Sequence, residues 1–403
     1  MTSPTGKTPE PQIPAMPDDF SLVLGGPLYQ LLRRAHLSGD ALELMRWRLL
    51  VILGIAWLPL LALSAIQGHA LSGVAVPFLL DVEANVRFLV ALPLLIYAEL
   101  IVYQRMRLVV QLFLARKLIP DDSIPRFHAA VASAMRLRNS ALDEVLLLAF
   151  TYFVGVMIVW RHYIALAAST WYGTPAGSGF DLTMAGTWYA YLSLPIFQFL
   201  LLRWYFRIFI WVRFLFQVSR IQLSLIPTHP DRVGGLGFLS NVAFAFVPLA
   251  VAHGAMLAGP LAARIFYAGA GLMQFKVEIG VVVGFVLVLV FGPLFIFSAQ
   301  LAAAKRTGLR EYGTLAERYV REFDVKWLRG GAPAGEALVG SADIQSLADL
   351  ANTFDVVKTM RLAPLTRDGL IQLVAATLAP VVPLALTMMS PEELIKQLFG
   401  IIF

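Results

Sequence analysis

Apolar runs of about twenty residues alternate along this chain with shorter stretches rich in arginine and lysine. At 1.5 Å per residue such a run matches the roughly 30 Å hydrocarbon core of a bilayer, so each predicts a membrane-crossing helix. Seven are present, at residues 47–66, 86–104, 145–168, 187–210, 238–262, 279–301 and 370–389. Pro380 and Pro383 lie inside the last, which predicts a kink there or a segment that only dips into the bilayer. The expected fold is therefore an all-α membrane bundle of about seven transmembrane helices, six of them within residues 47–301.

The polar runs organise the rest. Residues 1–20 are polar and proline-rich without an apolar signal-peptide core, and read as a disordered tail. The first crossing helix then acts as its own insertion signal. In 21–46, Leu28, Leu31, Leu32 and Ala35 recur at helical spacing beside Arg33, Arg34 and His36. That predicts an interfacial helix, lying on the membrane or packed on the protein's own cytosolic face. Residues 302–368 form a small cytosolic helical module. Its first helix carries one stripe of Tyr312, Leu315, Ala316, Tyr319, Phe323 and Trp327, and Gly330 and Gly331 stop it. Its second starts from a cap at Ser341 and lines up Ile344, Leu347, Ala351 and Phe354. The two stripes are expected to pack together and on the membrane domain or a neighbouring subunit, burying Trp327 and Phe354. Residues 369–403 hold the last crossing helix and an interfacial tail whose helix starts at Ser390 and Pro391.

Composition agrees: of 403 residues, 58% are hydrophobic and 14% charged, where a soluble domain carries about a quarter charged. The net charge of +6 would suggest nucleic acid, but its placement gives another reason. All but Arg87, Arg161, Arg264, Lys276 and Lys396 of the 32 basic residues fall within 1–48, 105–138, 203–232 and 305–367. These are alternate sides of the seven runs, which predicts a cytosolic N-terminus and an external C-terminus. The positive charge then serves orientation and anionic lipids on the cytosolic face, and no nucleic-acid partner is expected. With no cysteine and six scattered histidines, neither a metal nor a cofactor is expected. His162 and His253 stand alone on apolar helices and read as packing residues.

The densest chemistry lies in residues 226–240, IPTHPDRVGGLGFLS. His229, Asp231 and Arg232 stand beside Gly234, Gly235 and Gly237, whose backbone N–H groups can turn inward around an anion or a helix end. No Gly-Lys-Ser/Thr follows, so this is not a phosphate-binding P-loop. The plainer alternative is a rigid turn capped by Asp231. In either case a glycine with positive φ and an Asp231 carboxylate bonded to backbone N–H or to Arg232 are expected. His229-Pro230-Asp231 is also the tripeptide by which J-domain co-chaperones engage their partner; here a membrane run follows almost at once, so the likeness is read as accidental. Glu99, inside an apolar run, is a functional candidate because an unpaired buried charge is costly. It lies on an ion pathway or pairs with Arg203, Arg207 or a tyrosine to lock helices. Gly280 and Gly284 form a small-xxx-small face for close helix packing, within the chain or between subunits, and Pro293 is expected to kink the same helix.

HPDRVGGLGFL, LREYGTLAERYVREFDVKWL and GSADIQSLADLANTFDVVKTMR resemble blocks of a family of bacterial multi-pass inner-membrane proteins for which no activity is established. The resemblance covers about the second half of the chain and implies a host class and a membrane, with no catalytic residues. No Gly-x-Ser-x-Gly, His-Glu-x-x-His or carboxylate pair within one run is present. The expected function is passage of an ion or small solute through a homo-oligomeric channel or transporter, with Glu99, His229, Asp231, Arg232, Gly234, Gly235 and Gly237 along the path. A membrane-anchored sensor or scaffold recruiting a cytosolic protein partner is the alternative. A lipid-modifying enzyme using His229 and Asp231 is a third.

Overall fold

The computed structural model describes residues 20–23, 25–27, 29–30, 45–160, 169–176 and 179–388. They are mostly helical. In chain order the main helices are α1 (Met45–Ile66), α2 (Val82–Ala115), α3 (Ile124–Arg138), α4 (Ala141–Phe150), α5 (Leu194–Val218), α6 (Val247–Ala268), α7 (Leu272–Leu328), α8 (Ala342–Lys358) and α9 (Arg367–Leu378). Among the described residues, α1, α2, α6 and α7 are long and apolar enough to cross a membrane. That is four where seven runs were expected. The third run is helical from Ala141 to Trp160, and its remaining residues, with His162, lie outside the described ones. The fourth is helical through 184–218, with Gln198, Arg203 and Arg207 inside it. The seventh stops at Leu378, before Pro380. Its 12 residues reach about 18 Å, well short of the hydrocarbon core.

Helix α2 is the axis of the bundle, with α1, α5 and α6 packed around it. Asp81 starts it by accepting the Ala84 N–H at 3.0 Å, with Glu83 in the first turn. Lys117, in the left-handed region at φ 53°, ends it. Its 34 residues make about 50 Å of helix, roughly 20 Å more than the hydrocarbon core needs. The excess is at the C-terminal end, where Gln104, Arg105 and Arg107 follow the apolar stretch. Arg105 lies over the Phe244 ring, just before α6 begins, so both helices leave the apolar zone at one level. Phe88, Phe113, Phe127, Trp204, Trp211, Phe214 and Phe297 fill the core. Helix α6 meets α9 at Gly254, where a Cβ would lie 2.0 Å from the Thr377 carbonyl oxygen. Only glycine allows that approach.

The chain is not purely helical. Strands β1 (Gly173–Ala176) and β2 (Gly179–Leu182) pair antiparallel, with Thr174 opposite Asp181. Four residues per strand are too few to show a two-residue period in the sequence. Trp171, beside this hairpin, is fully buried. Its Nε1 donates to Asp81 Oδ2 at 2.8 Å, and its ring meets Phe78 and Tyr189 edge-on. At the other end of the bundle Phe20 is also fully buried, against Trp211 and Phe214. The polar tail therefore ends before Phe20, and the buried Ser21, Leu22 and Val23 do not lie along a membrane surface. Most of the expected interfacial helix and the whole tail after Met388 lie outside the described residues.

Helix α7 runs on for 57 residues from the apolar stretch, tightening within it over Gly292–Phe297, where Pro293 sits, and widening over Asp324–Leu328. Gly330, at φ 79°, marks its end. Helix α8 folds back on it. Trp327 Nε1 donates to Asp343 Oδ2 at 2.9 Å, and Tyr319 Oη donates to the Asp343 carbonyl at 3.1 Å. Trp327 and Phe354 are half-buried rather than buried, and Leu315 and Ile344 are exposed, since two helices cover only one face of each other. Ser341 holds the cap position of α8, but its hydroxyl makes no capping bond.

Candidate functional site

Residues 226–240 form the node where α5, α6, α7 and α8 converge. Gly234 and Gly235 take φ values of 65° and 97°, and Arg232 takes 57°. This folds three amides onto one carboxylate. Val233 and Gly235 donate to Asp231 Oδ1 at 2.9 and 3.1 Å, and Gly237 donates to Oδ2 at 2.8 Å. A Cβ on Gly237 would lie 2.9 Å from that oxygen, which accounts for the third glycine. His229 Nδ1 stands 2.9 Å from Asp231 Oδ1. Burial on its own would raise the Asp231 pKa; the amides of Val233, Gly237 and Gly235 and the nearby His229 outweigh it and hold the carboxyl below its ordinary value.

The chain beyond α8 closes over this loop. Arg361 N donates to the Arg232 carbonyl at 2.7 Å, Arg361 Nη2 donates to the Asp231 carbonyl at 3.0 Å, and Arg361 Nη1 donates to the Leu365 carbonyl. From α2's C-terminal end, Arg116 Nη1 donates to the Gly235 carbonyl at 3.2 Å while its guanidinium covers the Phe238 ring. Between them lies a cavity of about 710 Å³, lined by Arg116, His229, Asp231, Arg232, Arg361 and Thr366, among others. Arg116 and Arg361 meet carbonyls, and its one lining carboxylate is already bonded to three amides. Such a chamber carries positive potential and has planar donors suited to oxyanions. Arg116 lies 12 residues past Gln104, about 18 Å along α2, whereas headgroups extend only about 5–8 Å beyond the hydrocarbon.

Glu99 sits elsewhere. It is 17 residues from Arg116 on the same helix, about 25 Å away, and only 2% exposed. Its Oε2 accepts from Arg48 Nη2, its Oε1 forms an ion pair with Arg207 Nη1 at 2.7 Å, and Arg203 Nη1 stands 3.6 Å off. Arg203 Nη2 also meets Glu144 Oε1 at 3.3 Å. Charges from α1, α2, α4 and α5 thus join in one buried network, matching the helix-locking alternative for Glu99. The structure brings His229, Asp231, Arg232, Gly234, Gly235 and Gly237 together and leaves Glu99 apart. Among the described residues, a Cβ at Gly280 or Gly284 would meet nothing within 4 Å, so the close packing expected of them is not made with those residues. His253 is a bonded core residue. Its Nδ1 faces the Leu249 carbonyl at 2.7 Å and must donate, so Nε2 accepts from Tyr205 Oη at 2.9 Å.

Sequence reasoning missed Arg116, Thr366 and Arg361 at the cavity and Arg48 and Glu144 in the network. The basic ones were absorbed into the orientation argument, and no spacing connects positions so far apart in the chain. Compared with protein families, curated proteins and solved structures, the chain matches none.

Proposed function

We propose that this chain binds a small water-soluble anion at the loop-end cavity and passes it across the membrane. The observation that supports this is the lining itself: Arg116, Arg232 and Arg361 face one shared space whose only lining carboxylate, Asp231, is engaged by backbone amides. A cation would be repelled there, and a lipid headgroup would have to rise about 10 Å out of its layer to reach it. Oxyanions such as phosphate or a small carboxylate fit the donors. In this reading Glu99 holds helices together around the path rather than carrying the ion. The path crosses a seven-span bundle with a cytosolic N-terminus, an external C-terminus and the cavity facing the cytosol, a topology supported by the distribution of basic residues. The bacterial inner membrane rests on the segment resemblance alone, and homo-oligomeric assembly on the open face at Gly280 and Gly284.

The test is uptake of labelled phosphate and of succinate into proteoliposomes, alongside calorimetric binding in detergent. Arg116→Gln and Arg361→Gln should each weaken binding by on the order of tenfold, as loss of one charge-assisted contact does. Binding and flux unchanged in both variants would remove the cavity from the function, and no flux of any tested anion would sink transport.

A second reading has its own support. Leu315, Val320, Val325 and Leu328 are 50%, 51%, 58% and 71% exposed along the part of α7 that carries α8. Such a surface suits a scaffold that recruits a cytosolic protein. Cross-linking from Leu328→Cys to a specific partner, with no anion binding at the cavity, would decide for it.

A further inference from the structure

We propose that the buried arginine network around Glu99 holds a single halide ion, in the void bounded by Arg138, Arg203, Arg207, Glu144 and Gly25. The proposal stands on observations separate from the loop-end cavity and does not depend on transport.

The first observation is charge. Among the described residues the network sets Arg48, Arg138, Arg203 and Arg207 against Glu99 and Glu144, an excess of two positive charges within the bundle. Burying an uncompensated charge costs several kcal/mol even after relaxation. The guanidinium groups also crowd one another: burial, with the Arg207 charge beside it, pushes the Arg138 pKa down to about 10.

The second is an unmet donor. Arg207, 3% exposed, forms an ion pair with Glu99 through Nη1, but its Nη2 is buried without a hydrogen-bond partner, and so is Arg48 Nε. Buried donors are almost always paired, so such an orphan points to a bound species.

The third is size. Arg207 and Arg203 line a void of about 10 Å³ together with Arg138 and Glu144, room for one particle of about water size. A water molecule would satisfy the donor but leave the charge excess. Phosphate, sulfate and carboxylates are too large. A halide meets the size and the charge together. The neighbouring donors already have partners: Arg138 Nη1 donates to the Ser21 carbonyl at 2.6 Å, and Arg203 Nη2 meets Glu144. They are thus held in place around the void at no further ordering cost.

The experiment uses the full chain in detergent. Thermal unfolding is followed while sodium chloride replaces sodium gluconate at constant ionic strength, with sodium sulfate as a third series. The expected result is a saturable rise in Tm of a few degrees in chloride and bromide only. Arg138→Gln, at the rim of the network, should raise the half-saturating chloride concentration by on the order of tenfold while leaving the protein folded. Arg207→Lys, which keeps the charge but not the fork, should do the same and serves if Arg138→Gln does not fold. Bromide-soaked crystals should show one anomalous peak beside Arg207. Equal Tm in chloride and gluconate, as would follow if an acidic side chain filled the void, overturns the proposal. A rise of the same size in sulfate, or one unchanged in both variants, also overturns it.

Discussion

Arg207 Nη1 lies 2.7 Å from Glu99 Oε1, and both side chains are almost wholly buried. Arg48 and Arg203 share the same carboxylate. Removing one charge from such a group leaves the others buried and mutually repelling. Glu99→Gln should therefore destabilise the protein by about 3–5 kcal/mol. Replacing Arg207 by Met in the same chain should recover part of that loss, because it removes one uncompensated cation. Unfolding in mild detergent measures both, and an unaltered Glu99→Gln protein would mean that the network does not hold the helices.

Asp231 supplies a graded test. Its two oxygens accept three amides, whereas an asparagine oxygen replaces at most part of this and an alanine none. Leaving buried N–H donors unmet costs about 1–3 kcal/mol each, so Asp231→Ala should exceed Asp231→Asn. The pH dependence has a definite sign. Since the folded carboxyl lies below its ordinary value of 3.8, its contribution is present above that pH and is lost as pH falls through the folded pKa. Asp231→Asn should flatten the acid limb of stability there and leave neutral pH behaviour intact.

Gly254→Ala places a methyl carbon 2.0 Å from the Thr377 carbonyl oxygen. The obstacle is backbone, so α6 and α9 must separate, at a cost of about 1–3 kcal/mol. The control is Gly280→Ala, whose methyl meets nothing within 4 Å among the described residues. A reduced Tm for the first and an unchanged Tm for the second, for monomeric protein in detergent, is the expected pair. Loss of an oligomer in Gly280→Ala, with monomer stability kept, would instead show that face joining two copies.

Trp327 is half-buried, and its Nε1 donates to Asp343, which also meets Lys326 at 2.8 Å. Trp327→Phe keeps most of the packing and should cost about 1 kcal/mol, the worth of one hydrogen bond. Trp327→Ala should cost roughly 2 kcal/mol, below the 3–5 typical of a fully buried tryptophan. Hydrogen exchange in α8 reports both locally.

The membrane class and the conformation of the central loop were legible in the sequence for a shared reason: both are local. A twenty-residue apolar run declares itself, and Gly234 with Gly235 after Asp231 declares a turn with positive φ. What pairs with what was not local. Arg48 and Glu99 are 51 residues apart, and Arg116 and Gly235 are 119 apart. No periodicity connects them, so Arg116 and Arg361 counted only as charges on one side of a membrane. Trp171 looked like an interfacial anchor because its partner Asp81 lies 90 residues away. Gly280 and Gly284 had the spacing of a packing face, yet the close approach of α6 and α9 is at Gly254, which has Ala250 and Ala258 four residues to either side; spacing alone does not say which such run meets a neighbour.

The unbroken path of α7 out of the apolar zone has a consequence for angular phase. Gly308 meets Pro227 so closely that a Cβ there would lie 2.6 Å from the proline ring. An α-helix advances about 100° per residue, so one residue inserted between Ser298 and Gly308 would turn that glycine away from Pro227 and swing α8 around the helix axis with it. Inserting a full turn would restore the direction but lift the contact by about 5 Å. The number of residues between the bilayer exit and Gly308 is therefore fixed as a rotation setting, and sequence drift in this stretch is confined to substitutions.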